Sequence, residues 1–311
     1  MTAGPRRRRG EVLRALFTQG DGVKTEIYLF DPSPGRRSVP GWVLAEILGS
    51  GRAECRSYGA AVFCRQGRKI EVRHSDGIDE AEPPTRLKPE AWYYYVPGRG
   101  FAPVEVRGGI YARLHSPRAG AAPTLLINGI HMHRVAAGWD PLRDADAKVK
   151  YLHAKKGSLV LDTCMGLGYT AIRAMRRGAR VVTIEVSREV LAVAEHNPYS
   201  ASLAEAEAIL VGDAADYVKH MQSSVFDAVM HDPPRYSVAG HLYSLSFYRE
   251  LFRVLRPGGR LVHYTGEPQR GRGRGRGPIV RGVVERLAAA GFRVLGYRED
   301  ALSVVAVKPR R

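Results

Sequence analysis

From about residue 151 to its end, the chain alternates short apolar runs with amphipathic helical segments. Strands are predicted at 158–162, 180–185, 208–213, 226–232 and 259–265. Helices are predicted between and after them, at 169–178, 187–197, 216–221, 244–255 and 280–291. Because consecutive parallel strands need a crossover connection, this alternation predicts a parallel sheet with helices on both faces.

The last two predicted strands, within 292–300 and 302–309, follow each other almost without a connection. Strands that are joined so tightly pair antiparallel. We therefore predict an α/β fold, with a Rossmann-like, seven-stranded sheet that ends in an antiparallel C-terminal hairpin.

Residues 1–150 show no such alternation. One helix is predicted at 41–48, and apolar, β-branched runs separated by Gly- and Pro-containing turns follow it. This pattern predicts a smaller α+β or mostly β N-terminal domain that ends in hairpins. We place the boundary so that residues 1–139 form a substrate-gripping domain and residues 140–311 form the α/β domain.

The chain carries a large positive charge. Its 48 Lys and Arg residues against 31 Asp and Glu residues leave a net charge of +17 and a pI of about 10.1. This charge favours a polyanionic partner, of which RNA and DNA are the foremost candidates. The arginine-rich segments RRRR, at 6–9, and RGRGRGRG, at 270–277, are candidate phosphate contacts.

Cys55, Cys64 and Cys164 are the three cysteines of the chain. They are too few and too scattered to predict a disulfide framework or a zinc site, so we expect a reducing cytosol. The basic N-terminus has no apolar segment after it, which argues against a signal peptide. No apolar run approaches the roughly 20 residues that span a bilayer. We expect a soluble, cytoplasmic protein without a membrane partner.

The segment LDTCMGLGYTA, at 161–171, has the composition of a cofactor loop. It places Asp162 and Thr163 at a strand end, with Gly166 and Gly168 in the turn before a helix. Glycines let the backbone approach a ligand, and a helix N-terminus favours polar or anionic groups. The same glycines and Ala171 also fit the GxGxxA pattern of NAD-binding proteins, so the loop alone leaves the cofactor open.

Acidic residues follow three successive predicted strands. Asp162 can face an ammonium group, where it would repel a pyrophosphate. Glu185 is placed to hold ribose hydroxyls, and Asp213, followed by Ala214, can accept from an adenine amino group. Together these positions favour S-adenosylmethionine over a dinucleotide.

The segment MHDPPRYS, at 230–237, ends a predicted buried strand with two prolines. Prolines donate no backbone hydrogen bond and fix φ, so Asp232, Pro233 and Pro234 form a stiff loop that presents acceptors. Asp232 and the Pro233 carbonyl can accept the two hydrogens of an exocyclic amine and turn its lone pair toward a methyl group. Arg235 and Tyr236 are candidates to stack on a base or to bind its phosphate.

These motifs give the chain a resemblance to class I S-adenosylmethionine-dependent methyltransferases, whose parallel sheet also ends in an antiparallel hairpin. The chain is similar, more narrowly, to an archaeal family linked to dimethylation of a cytidine exocyclic amine in small-subunit ribosomal RNA. The matching segments lie at 127–134, 140–149, 161–172, 231–244 and 248–268. The resemblance implies S-adenosylmethionine as cofactor and RNA as partner, ribosomal RNA first and tRNA second. This chain departs from the usual pattern at Cys164, where many methyltransferases have a glycine, and at Arg235, where an aromatic residue is usual.

HMHR, at 131–134, places His131 and His133 on one side of an extended segment beside Arg134. These three residues are candidate substrate contacts. Alternating histidines can also bind a metal ion, but no third ligand is evident in the sequence, so no metal is predicted.

Other functions are compatible with parts of this pattern. A polyamine aminopropyltransferase shares the sheet and a related cofactor, but it needs an acidic substrate pocket, and Arg235 and His241 argue against one. The C-terminal hairpin and Asp162 argue against an NAD-dependent oxidoreductase. A non-catalytic RNA-binding protein has no need for the acids at 162, 185, 213 and 232. The oligomeric state is left open.

Overall fold

The computed structural model describes residues 15–17, 25–50, 54–136, 138–266 and 277–310. The segment 6–9 lies outside these residues, and so does all of 270–277 except Gly277. Among the described helices, none combines the length and the apolar character that crossing a membrane requires.

The N-terminal half of the described chain is built mainly from antiparallel strands. Its helix α1 is Gly41–Gly49. Its strands are β1 (Ser38–Pro40), β2 (Cys55–Tyr58), β3 (Ala61–Gln66), β4 (Lys69–His74), β5 (Gly77–Ala81), β6 (Trp92–Val96), β7 (Gly100–Pro103), β8 (Glu105–Arg107), β9 (Tyr111–His115), β10 (Thr124–Ile127) and β11 (Ile130–His131). They form sheets of order β1-β6-β7, β2-β3-β4-β5 and β11-β10-β9-β8. Trp92, Tyr93 and Tyr95 of β6 are buried, so this aromatic strand belongs to the core.

Cys55 and Cys64 form a disulfide, which corrects the prediction that the cysteines stay reduced. The two residues are direct partners in the β2–β3 ladder. A tight turn between the strands sets this register, so cysteines nine positions apart face each other across the hairpin. Cys164 is a free cysteine.

A seven-stranded sheet with helices on both faces occupies the C-terminal half. Its helices are α2 (Pro141–Val149), α3 (Tyr169–Arg176), α4 (Arg188–Glu195), α5 (Ala214–His220), α6 (Leu245–Val254) and α7 (Pro278–Ala289). Its strands are β12 (Leu159–Asp162), β13 (Arg180–Glu185), β14 (Ala208–Val211), β15 (Phe226–His231), β16 (Leu255–Tyr264), β17 (Arg293–Arg298) and β18 (Ser303–Val307).

The strand order is β14-β13-β12-β15-β16-β18-β17. β12 to β16 pair in parallel, and β18 pairs antiparallel with both β16 and β17. The predicted Rossmann-like sheet with a C-terminal antiparallel hairpin is therefore confirmed. The boundary between residues 139 and 140 stays a prediction.

Both faces of this sheet are apolar, as a doubly covered sheet requires. Neighbouring residues of β12 point to opposite sides, so Val160 and Leu161 belong to two different core clusters. The carboxyl ends of β12, β13, β14 and β15 meet at one edge. The acids predicted from the sequence are brought together there.

Candidate active site

A cavity of about 370 Å³ opens at the carboxyl edge of the central sheet. Its size lies within the range of small-molecule sites. The predicted site residues that line it are His133, Thr163, Gly166, Glu185, Asp213, Ala214, Asp232, Pro233 and Pro234. Asp162, Gly168, His131, Arg134, Arg235 and Tyr236 lie outside its lining.

The loop between β12 and α3 forms one wall of the cavity. Gly166 and Gly168 have φ values of 55° and 73°, in the left-handed region that favours glycine. A Cβ on Gly168 would lie 2.6 Å from the Leu203 side chain, so this position also demands close packing. A Cβ on Gly166 would meet no atom within 4 Å, so its backbone faces open space.

Glu185 is held at the end of β13 by two backbone donors. Gly166 N–H donates to its Oε2 at 2.8 Å, and Ser187 N–H donates to its Oε1 at 3.0 Å. Burial raises the pKa of Glu185, and these backbone donors act in the opposite direction. The carboxylate is thus fixed in the cavity wall with a defined orientation.

Asp213 lies two residues after β14 and caps α5, because its Oδ1 accepts from Ala215 N–H at 2.7 Å. Its Oδ2 lies 2.8 Å from His241 Nε2. The sequence predicts His241, with Arg235, on the substrate side. The structure instead places it against the acid predicted to hold the adenine.

Asp162 lies beneath the cavity rather than in its wall. Its carboxylate accepts from the Thr183 hydroxyl at 2.8 Å and from the Thr170 hydroxyl at 3.4 Å. Burial raises the pKa of Asp162 to about 8, although the Thr183 hydrogen bond lowers it. In this arrangement Asp162 supports the loop from below.

The loop that follows β15 presents Asp232, Pro233 and Pro234 to the cavity. The Tyr243 hydroxyl donates to the Pro234 carbonyl at 2.9 Å, and Pro233 is buried. Arg235 is exposed outside the cavity lining, and Tyr236 is 52% exposed with its ring against that of Tyr243.

Two further charged residues stand beside Asp232, and the sequence reasoning missed both of them. Lys148 Nζ lies 2.7 Å from Asp232 Oδ2 and 2.6 Å from Asp144 Oδ2. It also sits over the Tyr264 ring, 4.0 Å from its centroid. Asp144 and Lys148 are buried although both carry charge. Their spacing of four residues, which would place both on one face of a helix, was the available signal, but such pairs are usually solvated surface pairs.

Met132 and His133 of the HMHR segment line the cavity, and His133 is the polar one of the two. Its Nδ1 accepts from Leu125 N–H at 3.3 Å, so the proton of the neutral ring is on Nε2. Burial lowers the pKa of His133 to about 3, and the charge of Lys148 adds to this effect. His133 is therefore a neutral donor at physiological pH.

His131 and Arg134 have other surroundings. The His131 ring is exposed on β11 and lies 5.2 Å from the His115 ring. Arg134 donates to the Asp300 carbonyl at 3.3 Å and stacks over Trp139 at 3.8 Å. The described residues contain no group of three or more His, Cys, Asp and Glu side chains that could hold a metal ion.

Residues 160–259 match the family described as "Methyltransferase domain". The uncharacterized protein MJ1233 of Methanocaldococcus jannaschii is 53% identical over 189 residues, which cover 60% of this chain and 65% of that protein. The match thus spans less than two thirds of the relative's length.

Solved structures with the same fold include two spermidine synthases. One, in complex with the transition-state analogue AdoDATO, gives a TM-score of 0.52 at 19% identity over 66% of this chain and 72% of that one. The enzyme from Thermotoga maritima gives 0.50 at 17% identity over 69% and 76%. At these identities the likeness shows the fold alone.

Residues 160–259 are a methyltransferase domain, and the cofactor is S-adenosylmethionine. The site fits this molecule. The backbone at Gly166 leaves open space beside the cavity, Glu185 offers a carboxylate for a diol, and Asp213 offers one for an amino group.

Proposed function

We propose that this protein is an RNA methyltransferase that modifies an exocyclic amine of a base, namely that of cytidine in ribosomal RNA. The observation that carries the proposal is the position of Asp232. Its carboxylate lies in the wall of the cofactor cavity, in a proline-stiffened loop whose Pro234 carbonyl is fixed by Tyr243.

The cofactor half of the site consists of the residues near β12, β13 and β14. In our proposal Glu185 binds the ribose hydroxyls, Asp213 accepts from the adenine amino group, and Gly166 allows close approach of the backbone. Thr163 and Ala214 line the same half, while Asp162 and Gly168 shape it from outside the lining. S-adenosylmethionine supplies a methyl group that leaves as the carbon–sulfur bonding pair returns to sulfur.

Asp232 acts on the amine that receives this methyl group. The lone pair of a base amine is delocalised into the ring, so the amine is a poor nucleophile. By accepting an N–H hydrogen, Asp232 turns the nitrogen toward a tetrahedral geometry and orients its lone pair. Asp232 then takes the proton that the alkylated nitrogen loses. The Pro233 carbonyl is the second acceptor that the sequence suggests.

RNA as the partner rests on three observations. The net charge of +17 suits a polyanion, and the resemblance to the cytidine-modifying family extends over five segments of the chain. Arg235 and Tyr236 are exposed next to the Asp232 loop, where they can contact the nucleotides that flank the target base. A base in tRNA is the alternative within the same chemistry.

An aminopropyltransferase acting on a polyamine is the second candidate. It is favoured by the presence of two carboxylates, Asp144 and Asp232, in the half of the cavity away from the cofactor loop. Lys148 lies between them and neutralises one charge, which weakens the site for a polycation.

The test is nucleoside mass spectrometry of total RNA from cells with and without this gene, followed by incubation of the deficient RNA with the purified protein and labelled S-adenosylmethionine. We expect a methylated cytidine to disappear and then to be restored. An unchanged set of methylated nucleosides, together with group transfer to a small polyamine, would favour the second candidate instead.

A further inference from the structure

Lys148 binds the same oxygen, Oδ2, of two different carboxylates. Its Nζ lies 2.6 Å from Asp144 Oδ2 and 2.7 Å from Asp232 Oδ2. Asp144 and Lys148 lie four residues apart in α2, and Asp232 follows β15, so the bridge joins helix and sheet. Within the described chain, neither Oδ1 atom has a hydrogen-bond partner in this network.

Asp144 Oδ1 is the more informative of these two atoms. Asp144 is 1% exposed and lines the cavity, and its Oδ1 is buried without a hydrogen-bond partner among the described residues. A buried carboxylate oxygen that has lost water and gained no donor destabilises a protein. Buried polar atoms without a hydrogen-bond partner are rare in folded proteins and call for an explanation. One explanation is that the substrate brings the missing donor.

We propose that Asp144 and Asp232 form an amine clamp, in which the Oδ1 atom of each accepts one N–H of the substrate NH₂ group. Lys148 is its positioning residue, because it fixes both Oδ2 atoms and leaves both Oδ1 atoms for the amine. This inference rests on the proposed function and deepens it. It replaces the Pro233 carbonyl with Asp144 as the second acceptor.

The charge balance of the amine clamp suits a neutral amine. Burial disfavours the ammonium of Lys148, but Asp232 and Asp144 outweigh it and raise the pKa of Lys148 above its usual value. Burial raises the pKa of Asp144, and Lys148 opposes this. The other titratable groups that act on the clamp are His133, Arg134, Asp162, Cys164, Tyr243 and Tyr264.

Replacing Asp144 with Asn tests the clamp directly. The Asn amide has one acceptor oxygen and one NH₂ group in place of two carboxylate oxygens. In either orientation the NH₂ group faces another donor, Lys148 or the substrate amine, so one of the two hydrogen bonds is lost. We expect Asp144→Asn to lower kcat by about 10²-fold, while the affinity for S-adenosylmethionine stays within about twofold. The matched control is Asp146→Asn on the same helix, since Asp146 is 47% exposed and pairs with Arg173 at 3.3 Å. An Asp144→Asn enzyme as fast as the control would overturn the proposal in favour of Pro233.

Lys148→Met tests the positioning role through the pH profile. Without the ammonium, two close carboxylates repel each other, which disfavours ionisation of both. Because the amine needs ionised acceptors, the acid limb of kcat should move to higher pH by about one unit or more. Lys148→Arg should retain the wild-type limb. A Lys148→Met profile with an unmoved acid limb would show that Lys148 is only structural.

An equilibrium measurement separates the clamp from the proposed function. Calorimetry with S-adenosylhomocysteine present compares cytidine with N4,N4-dimethylcytidine, which lacks both N–H donors. Wild type should prefer cytidine by about tenfold or more, and Asp144→Asn should lose most of that preference. Equal binding of the two nucleosides by wild type would reject the clamp. Wild type that prefers cytidine but methylates no RNA base would reject the proposed function instead.

Discussion

The hydroxyl of Tyr243 donates to the carbonyl of Pro234 across a distance of 2.9 Å. Tyr243 is buried, and its ring also contacts those of Tyr236 and His263. Pro234 cannot be fixed by a backbone N–H of its own, so this side-chain bond is what ties the end of the loop to the core. The position of Asp232 therefore depends on a residue eleven positions away in the chain.

Tyr243→Phe removes this bond and keeps the ring. We expect stability to fall by about 1 kcal/mol, because one partly buried hydrogen bond is lost. kcat should fall by about tenfold, since a loosened loop misplaces Asp232, and KM should change less than kcat. Urea unfolding and steady-state kinetics measure the two effects. Tyr199→Phe is the control, because it removes a part-buried hydroxyl hydrogen bond, to Tyr58 at 3.2 Å, at a residue outside the cavity lining.

Asp232→Ala should lower the methyl-transfer rate by about two to three orders of magnitude, as when one preorganised acceptor is removed from an active site. Asp144 remains as the partner of Lys148, so the buried ammonium keeps a counter-ion and the protein should still fold. Asp232→Asn should be milder than Asp232→Ala, since its amide oxygen can still accept from the amine when its NH₂ group faces Lys148. Single-turnover kinetics and cofactor titration measure rate and affinity separately. Loss of cofactor binding with a normal residual rate would assign Asp232 to the scaffold.

S-adenosylmethionine should raise the Tm of the protein, and NAD should not. A ligand at about 100 times its Kd stabilises the folded state by about 2.7 kcal/mol. Glu185→Gln should reduce this shift, because Glu185 accepts from Gly166 N–H and faces the cavity. Thermal unfolding with each ligand measures the effect. Stabilisation by NAD alone would contradict the cofactor assignment.

Asp162 should make the free energy of unfolding depend on pH. Its pKa is about 8 in the folded state against an ordinary value of 3.8, so the folded state holds its proton more tightly. Stability from this group is complete below pH 3.8 and is lost as the pH rises through 8. Asp162→Asn should remove that contribution, so the difference between the two unfolding free energies should change across this window. A pH-independent difference would show that Asp162 is already ionised at neutral pH.

The Cys55–Cys64 disulfide predicts one free thiol in the unreduced protein, that of Cys164. Burial raises the pKa of the Cys164 thiol, so it should react slowly until the protein unfolds. Reduction should destabilise the fold by about 2–3 kcal/mol, the value for a loop of this size. Thiol titration in denaturant and urea unfolding with and without reductant test both statements. Three reactive thiols before reduction would show that the bridge does not form.

The parts of the fold that could be predicted are those with a local signal. β13 and α4 follow from an apolar run and from the capping residue Ser187, whose side chain accepts from Val190 N–H at 3.2 Å. The parallel order then brings Glu185 and Asp232 to one edge without further information.

The parts that could not be predicted depend on contacts between distant segments. Lys148 and Asp232 are 84 residues apart, and nothing in either segment shows that the two side chains meet. The pairing of Cys55 with Cys64 needs the register of a hairpin, which a shift of one residue would abolish. Asp162 was predicted to face a ligand, but the strand pattern alone cannot show that two threonines enclose it.

The segment that matches the methyltransferase family begins at residue 160, whereas α2 ends at Val149. In our proposal the chain therefore divides its chemistry between a shared unit that receives the methyl donor and a preceding helix that completes the binding site of the acceptor. Proteins that share only the matched segment, and not α2, need not have the same substrates. An Asp and a Lys four positions apart ahead of the first parallel strand, together with Asp-Pro-Pro after the fourth, form a compound signature. We expect that signature to distinguish enzymes that bind a planar amine from enzymes of the same fold that methylate or alkylate other groups.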